Sequence, residues 1–365
     1  NPQSPIPNPQ SPIPINSNFI TYFLFKFFFI NLNYILLMKI NVIFRQKFLL
    51  IKLEVIFLTI SLSVNDLRNV SLYQSEIKLI IKGKGSSSFL YYYFYLNPSE
   101  IIVNNISIDS NIRRYNFKSD LNIVTIKFDK QIESCEKMFM ELSDIIEIDL
   151  SNFDASKVIN MDSMFYECSN LEKINFGNIN TSLVKNMNSL FHFCTKLSSL
   201  DLSKFDTSSV TTIKSIFRYC TSLTSINLSN FNTQNVEDME DVFSACHELT
   251  SVDLSNFDTS KVTNMKGMFY QCYKLKLLDL RNFKTTSAQT INGMFDNAKS
   301  LVYINLFSFI ITSDIDNSNL FKLTPSYLKI CLNDLNTQNY IKARFSNKKF
   351  NCSDICFNEN IKIDL

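Results

Sequence analysis

The sequence predicts an α/β solenoid in which each repeat contributes one parallel β-strand and one short helix, preceded by a small all-β domain. Three observations predict this fold class. A string of residues recurs at a fixed step of 26, the first part of each copy alternates apolar and polar residues, and the second part spaces its apolar residues as a helix face does. A unit of this size cannot bury its own apolar face, so the copies must stack on one another.

The repeat is visible in long, nearly identical strings. "LSNFDASKVINMDSMFYEC" occupies Leu150 to Cys168, and "LSNFDTSKVTNMKGMFYQC" occupies Leu254 to Cys272. Because no insertion interrupts the step, equivalent residues should lie above one another, and one phenylalanine per repeat should form a single buried line. These phenylalanines are Phe139, Phe165, Phe191, Phe217, Phe243, Phe269 and Phe295.

The apolar pattern changes within each repeat, which indicates two kinds of secondary structure. Leu278 and Leu280 flank Asp279, an alternation typical of a short, half-buried strand. Polar residues then supply a predicted turn and helix N-cap over 258–260. The helical stripe that is expected to follow consists of Val262, Met265, Met268, Phe269 and Cys272.

Leu275, Leu278 and Leu280 have the spacing L-x-x-L-x-L, so the repeat resembles a leucine-rich repeat. It departs from the common pattern at Phe283, where that family usually has Asn or Cys. The longer string "DLSNFDTSKVTNMKGMFYQC", followed by a leucine, is similar to the BspA-like leucine-rich repeat surface proteins of bacteria and protists. The resemblance covers residues 135–309 and implies adhesion and partner binding without enzymatic activity.

The segment before the repeats suggests processing or membrane attachment. The chain opens with "NPQSPIPNPQSPIP" and no Met, so residues 1–37 are interpreted as a fragment or non-coding leader. Residues 38–63 combine basic residues with an apolar run, the layout of a secretory signal. A retained membrane segment and ordinary buried structure are the alternatives for this stretch.

The remaining chain divides into three predicted parts. Strand-like runs such as "EIKLIIKG" predict the small all-β domain at 74–130, which would cap the first repeat. The seven-repeat solenoid is expected at 131–312. Residues 313–365 are interpreted as a C-terminal cap and the start of a cysteine-bearing tail, since the repeat register is lost after Phe309.

Composition argues against several classes of function. A net charge of +2 is too small to attract a polyanion electrostatically, so a nucleic acid is not an expected partner. His192 and His247 are the only histidines; both are expected to be solvated on helices, and no motif places a nucleophile beside either. The run "GKGSSS" at Gly83 lacks the spacing of a phosphate loop. We therefore predict no enzyme activity, no catalytic residue, no metal site and no cofactor.

The cysteines fall into two groups. One group shares a repeat column that Leu142 and Ala298 also occupy, which indicates core thiols rather than ligands. This group consists of Cys168, Cys194, Cys220, Cys246 and Cys272. Cys331, Cys352 and Cys356 lie outside the expected repeats; in a secreted protein they favour disulfides, with a zinc site as the minor alternative.

An outward column on the strands is the candidate partner-binding face. Its members are Asp149, Asn175, Asp201, Asn227, Asp253, Asp279 and Asn305. Solvation alone explains such a polar column, and calcium is disfavoured because it needs more converging oxygens. The sequence predicts a secreted or surface protein that binds a protein or glycan on another surface, with membrane attachment through the N-terminal segment or a missing C-terminal region. An intracellular protein-protein scaffold is the alternative.

Overall fold

The computed structural model describes residues 75–345 and the backbone of a short strand at 349–350. The predicted leader at 1–37, the signal-like segment at 38–63, and both Cys352 and Cys356 lie outside the described residues. In the part of the chain that the structure describes, no helix has the length and hydropathy of a membrane span.

The repeats form a β-solenoid of about seven turns. Parallel bridges join one residue of each coil to its equivalent 26 positions later, in unbroken sequence from Ser134 to Asp316. The predicted stacking of the repeats in register is therefore confirmed.

Most elements are short strands. Before the repeats lie β1 (Ser75–Lys82), β2 (Gly85–Ser88), β3 (Glu100–Val103), β4 (Ile106–Ile108), β5 (Arg114–Phe117) and β6 (Leu121–Phe128). The coils contribute β7 (Ile145–Asn152), β8 (Lys173–Asn175), β9 (Ser199–Asp201), β10 (Ser225–Asn227), β11 (Leu277–Asp279), β12 (Tyr303–Asn305) and β13 (Lys329–Cys331). A helix, α1 (Leu335–Arg344), and a last strand, β14 (Lys349–Phe350), follow.

The predicted helix in each repeat is wrong, because that segment is a series of tight turns. Each coil places two residues in the left-handed region, such as Ser215 with φ of 55° and Tyr219 with φ of 58°, and a right-handed helix admits neither. Backbone groups also bond between coils instead of within one segment. The N–H of Phe217, for example, donates to the carbonyl of Val242 at 3.1 Å.

The turns reproduce the apolar spacing of a helix, which explains the error. The N–H of Ile216 donates to the carbonyl of Ile213, and the N–H of Cys220 donates to that of Phe217. Such bonds between residues three apart bring both side chains to the same side of the coil. All four of these side chains are buried.

The predicted N-terminal all-β domain is also wrong as a separate domain, although strands do form there. β1 pairs antiparallel with β6 on one side and with β7 of the first coil on the other. The resulting sheet has the order β4-β3-β6-β1-β7-β8, and β2 and β5 form a separate pair. Leu79 of β1 lies opposite Ile148 of β7, and both belong to the same buried core as the repeats. These strands are the first layer of the solenoid.

The predicted line of phenylalanines is confirmed. All seven rings are buried, and successive rings from Phe139 to Phe295 are stacked with centroids 5.4–5.9 Å apart. Phe321 extends the stack by one further ring, 5.4 Å from Phe295. The column is therefore a continuous aromatic spine along the solenoid.

The register continues further than the sequence indicated. Cys331 pairs with Asn305 in the parallel ladder between β12 and β13, so it occupies the next 26-residue position rather than lying outside the columns. Its side chain is buried. The disulfide expected for the tail remains a prediction, since Cys352 and Cys356 are not described.

The five column cysteines form a second interior ladder. Each thiol donates a hydrogen bond to the carbonyl of the phenylalanine 29 residues earlier, at 3.0–3.2 Å. None of the five is in a disulfide, and all are buried. Burial raises the pKa of Cys168, Cys220 and Cys272 to about 12, so the reactive thiolate is suppressed at neutral pH.

We expect these five cysteines to resist alkylation by iodoacetamide in the folded protein and to react once the chain is denatured. The reason is burial combined with the raised pKa of the thiols. Peptide mass spectrometry before and after denaturation measures the modification of each cysteine. A Ser199→Cys variant, which places a thiol at an exposed position, is the control and should react at once. Rapid labelling of the native column, or disulfides between its members, would contradict the expectation.

Candidate binding surface

The strands present two outward columns, with one inward column between them. In β9, Leu200 is buried between exposed Ser199 and Asp201. We call the outward columns together the strand face. Its first column is Glu147, Lys173, Ser199, Ser225, Ser251, Leu277 and Tyr303, and its second is Asp149, Asn175, Asp201, Asn227, Asp253, Asp279 and Asn305.

The second column, which the sequence marked as the candidate partner-binding face, has a structural role in every coil. The side-chain oxygen of each member accepts a hydrogen bond from the backbone N–H two residues later, which closes the turn after the strand. Asp201, for example, accepts from Ser203 at 3.0 Å. The same bond is made by Asp149, Asn175, Asn227, Asp253, Asp279 and Asn305.

The column is exposed in the middle of the solenoid and becomes buried towards its end. Asp201, Asn227 and Asp253 are exposed, Asp279 is half-buried and Asn305 is buried. Hydrogen bonds from the Ser203 and Ser255 groups lower the pKa of Asp201 and Asp253. Both carboxylates therefore stay charged well into the acid range.

Because these exposed side chains also close turns, a substitution here would remove a turn hydrogen bond together with the surface group. Removing Asp201 or Asp253 would leave a turn N–H without its acceptor. The first column differs in this respect. The side chains of Ser199, Ser225 and Ser251 are exposed and make no hydrogen bond to the described residues, so they are the cleaner positions at which to test binding.

The strand face changes in chemistry along the solenoid. Glu147 and Lys173 form an exposed ion pair at 4.0 Å near the start. Small serines occupy the centre, half-buried Leu277 follows, and Tyr303 at the end is buried. The face is a strip of donors and acceptors rather than a convergent catalytic constellation. Among the described residues, no three His, Cys, Asp or Glu side chains are grouped to hold a metal ion.

A groove of about 400 Å³ lies where the first-layer strands meet the strand face. Ile123 and Ile80 line its apolar side, and Glu147, Asp149 and Asn175 line its polar side. The Asn175 amide donates to the Asp149 carboxylate at 3.1 Å. The structure thus brings these two predicted residues together, beside apolar residues whose position there was not predictable from the sequence.

The two histidines differ from the expectation of solvated side chains on helices. His192 is buried, in edge contact with Tyr166 and stacked 4.7 Å from Phe193. Burial, reinforced by the positive charge of Arg218, lowers the pKa of His192 to about 4. His247 stacks on Tyr273 at 4.5 Å. Each histidine is therefore part of an aromatic stack, and His192 is uncharged at neutral pH.

Sequence reasoning missed a cluster of tyrosines in the loop between β2 and β3. Tyr92 and Tyr93 are 75% and 77% exposed, and Tyr95 is 59% exposed. The run "LYYYFYL" from Leu90 to Leu96 was the available signal, since a cluster of aromatic residues that is exposed can mark an interaction site.

A family described as "Mycoplasma protein of unknown function, DUF285" matches residues 133–250 and 222–333. The overlapping matches together cover residues 133–333, more than half of the 365-residue chain. The chain belongs to the DUF285 family. The family matches coincide with the stacked coils and begin one residue before the first bridged position, Ser134. No curated protein matches the chain.

Proposed function

We propose that this DUF285 protein is a non-enzymatic recognition protein that binds a macromolecular partner along the strand face and mediates adhesion at a cell surface. The observation that carries the proposal is the contrast between the two sides of each strand. The inward column keeps an aliphatic residue in every coil, as in Leu200 and Leu278, whereas the outward first column ranges from charged Lys173 through small Ser199 to apolar Leu277.

A rigid frame with varied outward residues suits binding to an extended partner. Stacked coils about 4.8 Å apart give a strip on the order of 30 Å long, and contacts along it add up even when each is weak. The similarity of the repeats to BspA-like surface proteins supports an adhesive role and a location outside the cell. The description of the DUF285 family assigns no function to its members.

Substituting Ser199 and Ser251 with arginine is expected to weaken adhesion at least tenfold, equivalent to about 1.4 kcal/mol. Both serines are exposed on the strand face and have no structural hydrogen bond within the described residues. The large guanidinium groups would block a partner sterically, and neither substitution removes a hydrogen bond that closes a turn. The measurement compares adhesion of wild-type and variant protein, coupled to beads, to host or neighbouring-cell surfaces.

A matched control is available on another side of the coil. Gln234 and Thr286 share a repeat column, are exposed, and lie two coils apart as Ser199 and Ser251 do. Their double arginine variant should adhere like the wild type. Circular dichroism establishes that both variants are folded. Full adhesion by a folded Ser199→Arg/Ser251→Arg variant would exclude the strand face as the adhesive surface.

A further inference from the structure

The tyrosine loop before the first coil is an ordered structure. The N–H of Phe94 donates to the carbonyl of Tyr91 at 3.0 Å, which closes a turn with Tyr92 and Tyr93 at its two central positions. Phe94 is buried and packs on Phe128. The N–H of Tyr91 also donates to the carbonyl of Met138 at 2.9 Å, so the loop is tied to the first coil.

The exposed rings are held in defined positions. Tyr93 makes edge contacts with Tyr92 at 4.9 Å and with Tyr91 at 5.9 Å. The hydroxyl oxygen of Tyr95 accepts hydrogen bonds from the N–H groups of Glu133 and Ser134, at 3.2 and 3.3 Å. These aromatic surfaces are thus exposed by an anchored loop, which reduces the entropy lost when a ligand orders them.

Tyr91, Tyr93 and Tyr95 line one side of an open groove of about 670 Å³. We call it the tyrosine groove. Its other lining residues come from the first two coils and are mainly polar; we call them the polar side. The residues on that side are Glu133, Ser134, Glu136, Lys137, Ile159 and Asn160.

Some residues of the polar side are hydrogen-bonded to one another, and this side has more carboxylate groups than ammonium groups. The Glu136 carboxylate accepts hydrogen bonds from Lys137 Nζ at 2.9 Å and from Asn160 Nδ2 at 3.1 Å. The Glu133 carboxylate makes no hydrogen bond or ion pair to the residues that the structure describes. Two carboxylates against one ammonium group make the groove unfavourable for phosphate, sulfate or sialic acid groups.

We propose that the tyrosine groove binds a neutral carbohydrate chain. Aromatic faces accept the C–H surface of a pyranose ring, while the phenol hydroxyls keep polar contacts at the rim. Sugar hydroxyl groups are hydrogen-bond donors, and the Glu133 and Glu136 carboxylates are acceptors. The volume of the groove lies within the range of small-ligand sites.

The shape of the groove favours a glycan over a protein partner. Protein interfaces of ordinary affinity need roughly 800 Å² on each side with a buried apolar centre. Here the aromatic residues and the Glu133 and Glu136 side chains line the same concave groove. This site is separate from the strand face, so it extends the proposed function rather than depending on it.

The test measures binding of the full chain to immobilised neutral oligosaccharides of hexoses and N-acetylhexosamines, with sialylated forms of the same chains alongside. We expect saturable binding of at least one neutral chain and a tenfold or greater loss in Tyr93→Ala. Tyr327→Ala provides the matched control, because Tyr327 is also exposed, at 53%, but does not line the groove. Glu133→Gln, which keeps the shape of the side chain, should weaken binding to a smaller extent.

Several results would overturn the proposal. They are absence of binding to every neutral chain, stronger binding of sialylated forms, and undiminished binding by a folded Tyr93→Ala variant. Binding of unglycosylated protein, lost in the same variant, would assign the groove to a protein partner instead. The Ser199→Arg/Ser251→Arg variant should bind the oligosaccharide as the wild type does, which separates failure of this site from failure of the strand face.

Discussion

Replacing Phe217 with alanine is expected to lower the free energy of unfolding by about 3–5 kcal/mol, the range for removing a large aromatic side chain from a packed core. Phe217 lies in the middle of the aromatic spine, with Phe191 at 5.8 Å and Phe243 at 5.5 Å. Its loss removes ring contacts on both sides and leaves a cavity between two coils. Urea denaturation followed by circular dichroism measures the change.

Phe307→Ala is the control for this prediction. Phe307 is 48% exposed and lies outside the spine, so its truncation should cost less than about 1 kcal/mol. The stability of each coil depends on its interfaces with the neighbouring coils. Because the substitution weakens two of these interfaces, the Phe217 variant should also unfold less cooperatively. If Phe217→Ala lowered the free energy of unfolding no more than Phe307→Ala does, the ring stack would contribute little to stability.

Substituting Thr233 with valine is expected to lower the free energy of unfolding by about 2–3 kcal/mol, although the two side chains have almost the same shape. Thr233 is 1% exposed. Its hydroxyl donates to the carbonyl of Asp258 at 2.9 Å and accepts from the N–H of the same residue at 2.8 Å. Valine would leave both backbone groups of the next coil without these partners.

Thr250→Val provides the comparison, since Thr250 is exposed and its side chain makes no hydrogen bond to the described residues. We expect a change within about 0.5 kcal/mol. Thermal and urea unfolding of both variants measure the difference. Equal stability of the two variants would mean that the buried hydroxyl does not link the coils.

This threonine is one of a buried column that the sequence alone did not reveal. The hydroxyl of each member donates to a backbone carbonyl 25 residues later, and three further members also accept from the backbone N–H of the next coil. Thr259 was instead predicted to be a turn or N-cap residue. The members are Thr181, Thr207, Thr233, Thr259 and Thr285.

The sequence determined the stacking and the interior columns because periodicity directly reflects them. A fixed step without insertions permits only in-register stacking, and an apolar residue at every equivalent position must be buried. This is why the line from Phe139 to Phe295 and the burial of the column cysteines were predictable from residues alone.

The course of the backbone within each coil was decided only by tertiary structure. Apolar residues three and four positions apart fit both a helix and a chain of tight turns, and the difference lies in whether N–H groups bond locally or to the next coil. Gly267 and Gly293 were the available hint, since they share the left-handed column with Ser215 and Asn319. These glycines indicate turns rather than a helix only when the hydrogen bonds between coils are known. A local sequence pattern does not contain those bonds.

The surfaces formed by the segment before the repeats could not be predicted from the sequence. Strands β1, β3 and β6 were recognisable, but the pairing of Leu79 with Ile148 joins residues far apart in the chain, and local alternation does not specify such a pairing. The same holds for Tyr93 and Glu133, which face one groove only because the loop packs on the first coil. Repetition therefore specified the interior of this protein and the outward columns of the strand face, while contacts between the first layer and the first coils formed the tyrosine groove.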